Sequence, residues 1–218
     1  MLFPSLSIDN FFSDPDKVVE LSKTYEYAPH PTGKWPGVRS ASLHQIEPKL
    51  HMQVGRKILA TLFPNSYEKI RYGSSELMFQ KITPGEQNIH GGNWVHCDSP
   101  MDLTFIVYLS KHKNSGTSIY EMNKPYPNND NLEKDRYTFS NSKNKQKAIN
   151  LLEQNNKNFT ETISFKSKYN RAIFFDSGHW HSANISFEKN EQEDRLTLIG
   201  FYRNFINTRF HQVENRRI

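Results

Sequence analysis

Cysteine is almost missing from this sequence. Cys97 is the single one in 218 residues, so no disulfide can form within the chain and an oxidising compartment is not called for. Long apolar runs are missing too. No stretch approaches the ~20 residues that a membrane helix needs. Met1-Leu2-Phe3-Pro4 is not a basic segment followed by an apolar run, so no signal peptide is expected. The expectation is a soluble, cytoplasmic protein. Charge of one sign is never concentrated: the net charge is +5, and the densest basic clusters, Asn215-Arg216-Arg217 and residues 142–147, are short. Such scattered basicity argues for solubility more than for nucleic-acid binding. No internal repeat is visible. No Gly-x-Ser-x-Gly turn is present, which removes the most recognisable hydrolase nucleophile.

Aromatic residues, by contrast, are plentiful. They make up 13% of the chain, with 15 Phe and 10 Tyr, and they can fill the core of one domain of this length. The polar residues gather in Asn- and Lys-rich stretches that read as loops. Asp14-Pro15 supplies a cap and a first-turn proline, and Val18, Leu21 and Tyr25 follow at helical spacing, predicting a helix to about Tyr27. Pro29, Pro31, Gly33, Pro36 and Gly37 then predict a loop. Leu50, Val54, Ile58 and Leu62 recur every four residues and predict a second helix from Glu47-Pro48. After Tyr72-Gly73 the period falls towards two. Strands are predicted over residues 77–83, 103–109, 117–121, 162–165, 172–175 and 196–202. A polar segment, residues 123–158, reads as an insertion over one face with a short helix over 146–153. Helices at about 13–63 followed by strands at about 75–205 predict an α+β chain, mainly β, with helices packed on an antiparallel sandwich or barrel.

Three short segments carry chemistry. In His96-Cys97-Asp98, residues i and i+2 of an extended chain point to one side, so an imidazole and a carboxylate can face one ion. Two histidines and one carboxylate suit iron(II) and leave open coordination positions. The pair alone is weak, since the chain has nine His. The apolar strand that leads from Asn170 to Phe175 then delivers Asp176-Ser177-Gly178-His179-Trp180-His181, so a further histidine can reach the same point if the two strands meet. Arg195-Leu196-Thr197 follows. Arg195 and Thr197 share a strand face, and a planar guanidinium beside apolar residues suits a carboxylate held in two hydrogen bonds.

These segments, in this order, resemble the 2-oxoglutarate/iron(II) dioxygenase superfamily and its prolyl-4-hydroxylase-like branch. Ile82-Thr83-Pro84-Gly85 before the His96 motif, Ile106-Val107-Tyr108-Leu109 after it, and Gly116-Thr117-Ser118-Ile119-Tyr120 are similar to that branch as well. Asn10-Phe11-Phe12 and Trp35-Pro36-Gly37-Val38-Arg39 resemble a phage-encoded subgroup, which would place the protein in the cytoplasm of a bacterial host. The resemblance covers about residues 7–205. It implies a double-stranded β-helix (jelly roll, cupin-like) with Fe(II) on His96, Asp98 and His181. It implies 2-oxoglutarate as co-substrate on Arg195, Thr197, Tyr108 and Thr83, although the branch often carries Tyr at the Thr83 position. O2 is the oxidant, and ascorbate is an optional stimulant. His179 competes with His181, but the branch places a serine four residues before its metal histidine, and Ser177 fits that for His181.

The implied activity is hydroxylation of a peptidyl residue such as proline. Asp98 argues against halogenation, because related halogenases lack the carboxylate. Arg39, Asn93, Trp94 and Trp180 are candidates to line the substrate mouth, with Trp35 and Trp94 able to serve as core instead. The gap between Gly85 and His96 is long for the branch, so residues 87–94 are expected to form a rim near the substrate. Two other readings compete: an oxygenase acting on a nucleobase or small metabolite, and a non-catalytic, metal-binding cupin-like module. The latter has no use for Arg195 and Thr197 on one strand face.

Overall fold

The computed structural model describes residues 3–31, 35–64, 67–84, 93–111, 115–123, 134–136, 138–139, 144–187 and 192–206. The basic cluster at 215–217 and all of the expected 87–94 rim except Asn93 and Trp94 lie outside the described residues.

Helix α1 spans Pro15–Lys23, where Asp14 accepts a hydrogen bond from the Lys17 N–H and Val18 turns into the core. It stops four residues short of Tyr27, because the chain there enters a strand. β2 (Tyr27–Pro29) pairs antiparallel with β3 (Val38–Ser40), inside the stretch whose prolines and glycines predicted only a loop. Three-residue edge strands carry too little alternation to be read beside so many turn residues. The short α2 (Leu43–Ile46) leads into α3 (Pro48–Leu62), which buries Val54, Gly55, Ile58 and Leu59. The predicted four-residue stripe is therefore present, with its ends, Leu50 and Leu62, partly buried against the same core.

A short leading strand, β1 (Leu6–Ile8), is followed after the helices by β4 (Arg71–Ile82), β5 (Leu103–Tyr108) and β6 (Ser115–Met122). Helix α4 (Lys145–Asn156) comes next, and then β7 (Phe159–Lys166), β8 (Arg171–Asp176), β9 (Trp180–Ile185) and β10 (Arg195–Ile206). They form two antiparallel sheets, one ordered β1-β8-β5-β10-β4-β3-β2 and one ordered β7-β6-β9. This is the expected mainly β architecture with flanking helices, a double-stranded β-helix.

Alternation sorts the side chains of the large sheet into two cores. Leu77, Phe79, Phe105, Val107, Phe174, Leu198 and Tyr202 pack outward with Val18, Val54 and Ile58 of the helices. Each such apolar side chain contributes roughly 1.5–3 kcal/mol on burial. Gly200 lies on this outer side too, where a Cβ would stand 2.1 Å from Phe105 Cε1 and leave no room for the ring. Met78, Ile106, Ile173, Phe175, Ile199 and Phe201 face the other way and meet Ile119 of the small sheet. The functional residues open from this inter-sheet layer. A third cluster joins Trp94 to Phe139 and to Ala148 of α4. Among the described residues no helix is long and apolar enough to cross a membrane.

Candidate metal centre and co-substrate pocket

An isolated antiparallel bridge, His96 N–H to His181 O at 2.9 Å and His181 N–H to His96 O at 2.7 Å, ties the segment before β5 to β9. The Asp98 N–H donates to Ser177 O at 2.9 Å. Backbone pairing thus brings two distant segments together, and three ligand-type side chains converge. His96, Asp98 and His181 each offer an atom, all within 4.8 Å of one another. His96 Nε2 lies 3.6 Å and His181 Nε2 3.2 Å from the Asp98 carboxylate oxygens. His179 and Cys97 are not part of this cluster.

Both rings are oriented in the same way. His96 Nδ1 is 2.8 Å from Trp94 O, and His181 Nδ1 is 2.8 Å from His179 O. A carbonyl can only accept, so each Nδ1 carries the hydrogen and each Nε2 keeps its lone pair for the common point. This is the arrangement in which outer hydrogen bonds fix the tautomer of a metal-ligating histidine. Burial, together with the charges of Arg136 and His181, holds the His96 imidazole well below its usual value. Burial works to raise the Asp98 carboxyl, but in the metal-free site the charge and hydrogen bond of a protonated His181 outweigh it and hold the carboxyl below the usual carboxylate range. Thr104 Oγ1 donates to Asp98 Oδ2 at 3.2 Å and lies 2.7 Å from Ser177 Oγ. Without a metal, two buried imidazoles crowding one carboxylate is an expensive arrangement. The donor set is one that iron(II) accepts.

The same three ligands border an open cavity of about 290 Å³, which Arg195, Thr197 and Arg39 also line. Arg195 is 2% and Thr197 1% exposed. Among the described residues the Arg195 guanidinium has no acidic partner. Its Nε is unpaired, and its one hydrogen bond is a long 3.5 Å contact to Gly116 O. Thr197 Oγ1 is also unpaired. Burial lowers the Arg195 guanidinium from its usual value, and the Tyr108 ring, 5.6 Å from its centre, is the nearest compensation. A buried cation without an anion costs several kcal/mol. Orphaned donors of this kind at the floor of a cavity fit a carboxylate supplied from outside.

The sheet register explains the grouping. Arg39 pairs with Gln80, Gln80 with Thr197, and Thr197 with Tyr108, so these four side chains form one cross-strand row on the inner face. Arg195 sits in the next row, opposite Ile82. Tyr108 is fully buried and donates to Thr117 Oγ1 at 2.9 Å. Gln80 Nε2 donates to Pro36 O at 2.8 Å, which anchors the Trp35–Arg39 segment over the sheet. At Gly37 φ is +68°, and a Cβ would fall 2.0 Å from Lys81 O, so only glycine fits there.

Five expected residues do not line the cavity: Tyr108 is buried beneath it with its hydroxyl on Thr117, and four others are placed elsewhere. Thr83 follows the inward-facing Ile82, so alternation turns it out to solvent and away from the cavity. Trp180 precedes the inward-facing His181 and turns out for the same reason, onto the Phe159 ring at 5.0 Å. Trp94 is 2% exposed and stacks on Phe139. Asn93, at φ +65°, bonds the Ile185 backbone through both amide atoms. Trp35, Arg136, Thr104, Thr117 and Gln80 line the cavity and were not among the expected site residues. Trp35 stood in a quoted motif, whereas Arg136, in the polar insertion, gave no signal.

The comparisons agree with this picture. The fold is similar to the non-heme α-ketoglutarate-dependent epimerase SnoN from nogalamycin biosynthesis, with TM-score 0.55 and 11% identity over 92% of this chain and 78% of that one. It is similar to HygX from Streptomyces hygroscopicus, solved with nickel and 2-oxoglutarate bound, with TM-score 0.51 and 11% identity over 91% and 82%. It is also similar to an oxidoreductase of the 2OG-Fe(II) oxygenase family from Burkholderia pseudomallei, with TM-score 0.50 and 12% identity over 94% and 88%. At such identities the likeness is one of fold: the chain has the fold of the 2-oxoglutarate/Fe(II) oxygenases, with a His-Asp-His cluster that could hold a metal. No curated protein matches its sequence. Residues 3–202 match the model of a family of unknown function, DUF6445, and the chain belongs to that family.

Proposed function

We propose that this chain is a single-domain 2-oxoglutarate- and Fe(II)-dependent oxygenase. In this reading His96, Asp98 and His181 hold the iron, and Arg195 and Thr197 hold the far carboxylate of 2-oxoglutarate. The observation that carries it is the pairing of two independent features in one cavity: a tautomer-fixed His-Asp-His cluster and a buried arginine with no acidic partner among the described residues. A metal-binding module without catalysis needs the first and has no use for the second.

Bound iron and 2-oxoglutarate would supply an oxidant for an unactivated C–H bond at the expense of dioxygen, with release of succinate and carbon dioxide. The protein's part is positioning and shielding. Thr104 and Ser177 orient the Asp98 carboxylate, and the Trp94 and His179 carbonyls orient the two imidazoles. Tyr108 braces Arg195 from below. The apolar layer of Ile106, Ile199 and Phe201 keeps the pocket wall dry. With Asp98 present, the expected outcome is hydroxylation. The sequence resemblance supports a peptidyl residue such as proline as the target, in a phage-encoded subgroup of the prolyl-4-hydroxylase-like branch.

The test is aerobic turnover of 2-oxoglutarate with Fe(II) and ascorbate, read as succinate by NMR. Slow substrate-free succinate formation that disappears in His181→Ala is the expected result. Iron binding with no succinate under any condition favours the non-catalytic module.

A further inference from the structure

Arg39 is a second cavity arginine that makes no salt bridge to a described acidic residue, although the charges of Asp98 and Glu76 act on it. The Arg39 guanidinium lies 4.0 Å from the Trp35 ring centroid and 5.9 Å from that of Phe201. Its one hydrogen-bond contact is the Met78 sulfur at 3.9 Å, and its Nε has no partner. The Trp35 indole N–H is unpaired as well. A guanidinium flanked by aromatic rings keeps its hydrogen-bonding edge for something else, and that planar fork matches a carboxylate or phosphate. The segment is held in place rather than draped: Gln80 binds Pro36 O, and Gly37 takes the one conformation that fits against Lys81. Burial draws the guanidinium down to about 10, so the cation is kept at a cost.

Arg39 and Arg195 spring from well-separated points on the inner face of the sheet. Their strands, β3 and β10, are separated by β4, and their pairing positions on β4, Gln80 and Ile82, differ by two residues. That is roughly two strand spacings of ~4.8 Å across and ~7 Å along.

We propose that the substrate of this site carries an oxyanion, a carboxylate or a phosphate monoester, which Arg39 grips at the outer end of the cavity beside Trp35. This rests on the oxygenase reading and names the class of molecule that reading leaves open.

The test uses the full chain loaded with nickel(II) and 2-oxoglutarate, which cannot turn over. Benzoate, phenyl phosphate and the neutral benzamide are titrated in and followed by ligand NMR line broadening. Benzoate or phenyl phosphate should bind at least tenfold more tightly than benzamide, and whichever of the two is tighter assigns the oxyanion. Arg39→Gln should remove that preference, and Arg39→Lys, a charge without a fork, should restore only part of it. The wild-type preference is readable even if a variant folds poorly. Benzamide binding as well as the anions, or none of the three binding, overturns the proposal. So does an Arg39→Gln protein that has lost the visible iron(II)–2-oxoglutarate band, for Arg39 would then serve the co-substrate. Failure of the oxygenase reading looks different: the wild type itself shows no band.

Discussion

At the scale of single residues, buried polar atoms without partners say most. A structural arginine in a protein interior is normally paired, and removing it destabilises the fold. Arg195 is the reverse case, a buried cation with one long contact to Gly116 O. Arg195→Met should therefore raise the melting temperature of the metal-free protein while weakening 2-oxoglutarate by about 30-fold or more, on the order of 2 kcal/mol. Calorimetry and a binding titration check both halves, and a drop in both stability and binding would mark Arg195 as structural. Thr104 makes the complementary case. Its hydroxyl serves Asp98 and Ser177, and Thr104→Val keeps the shape without the hydrogen bonds. An iron affinity ~10-fold weaker is expected, measured by competition with a chelator.

At the scale of elements, α4 holds the ligand strand in place. Asn155 donates to Val95 O at 3.1 Å, while Asn156 accepts from the Val95 N–H at 3.2 Å and donates to Asn93 O at 2.8 Å. The Trp94 carbonyl that orients His96 belongs to the same short run. Asn156→Ala should loosen this run and weaken iron binding by roughly tenfold, with the melting temperature of the apoprotein little changed. An equal loss in both would make the contact merely structural. On the other side of the sheet Ile58 of α3 is fully buried, and Ile58→Ala should cost about 2–5 kcal/mol in chemical denaturation.

These elements also show what could be read without coordinates. The α3 stripe, the strands around Ile106 and Phe174, and the Arg195-Thr197 face were legible because each pairs strong apolar periodicity with a clear break. The His-Asp-His cluster was legible from i, i+2 spacing and from a histidine just beyond an apolar strand. β9 was not, because Trp180–Ile185 mixes polar and apolar residues on both faces while lying at the edge of its sheet beside β6. Nor was the fate of Asn93 and Trp94. Their role is set by α4 and Phe139, which lie far along the chain, and no local pattern encodes such packing.

At the scale of the molecule, the two sheets and the helical layer build a pocket that is costly when empty. Arg39, Arg136, Arg195 and the crowded His96–His181 pair line it, and bound iron and acidic ligands would stabilise it. Acid should expose this. His96, and His51 at the helix–sheet junction, are both held below their usual values, first by burial. A depressed folded-state value means the unfolded chain takes up the proton first. Their contribution to stability is intact above the ordinary histidine value of ~6.5 and falls away as the pH drops below it. The apoprotein melting temperature should decline through that window, and a flat profile would contradict the assignment.

The most direct measurement is anaerobic. Iron(II) and 2-oxoglutarate are added to metal-free protein, and the visible charge-transfer band of a chelated keto acid is recorded for the wild type, His181→Ala and Arg195→Ala. A band that is absent in His181→Ala, and that needs far more 2-oxoglutarate in Arg195→Ala, is the predicted result. Iron that binds tightly to the wild type without any band, or a band indifferent to both substitutions, would contradict it.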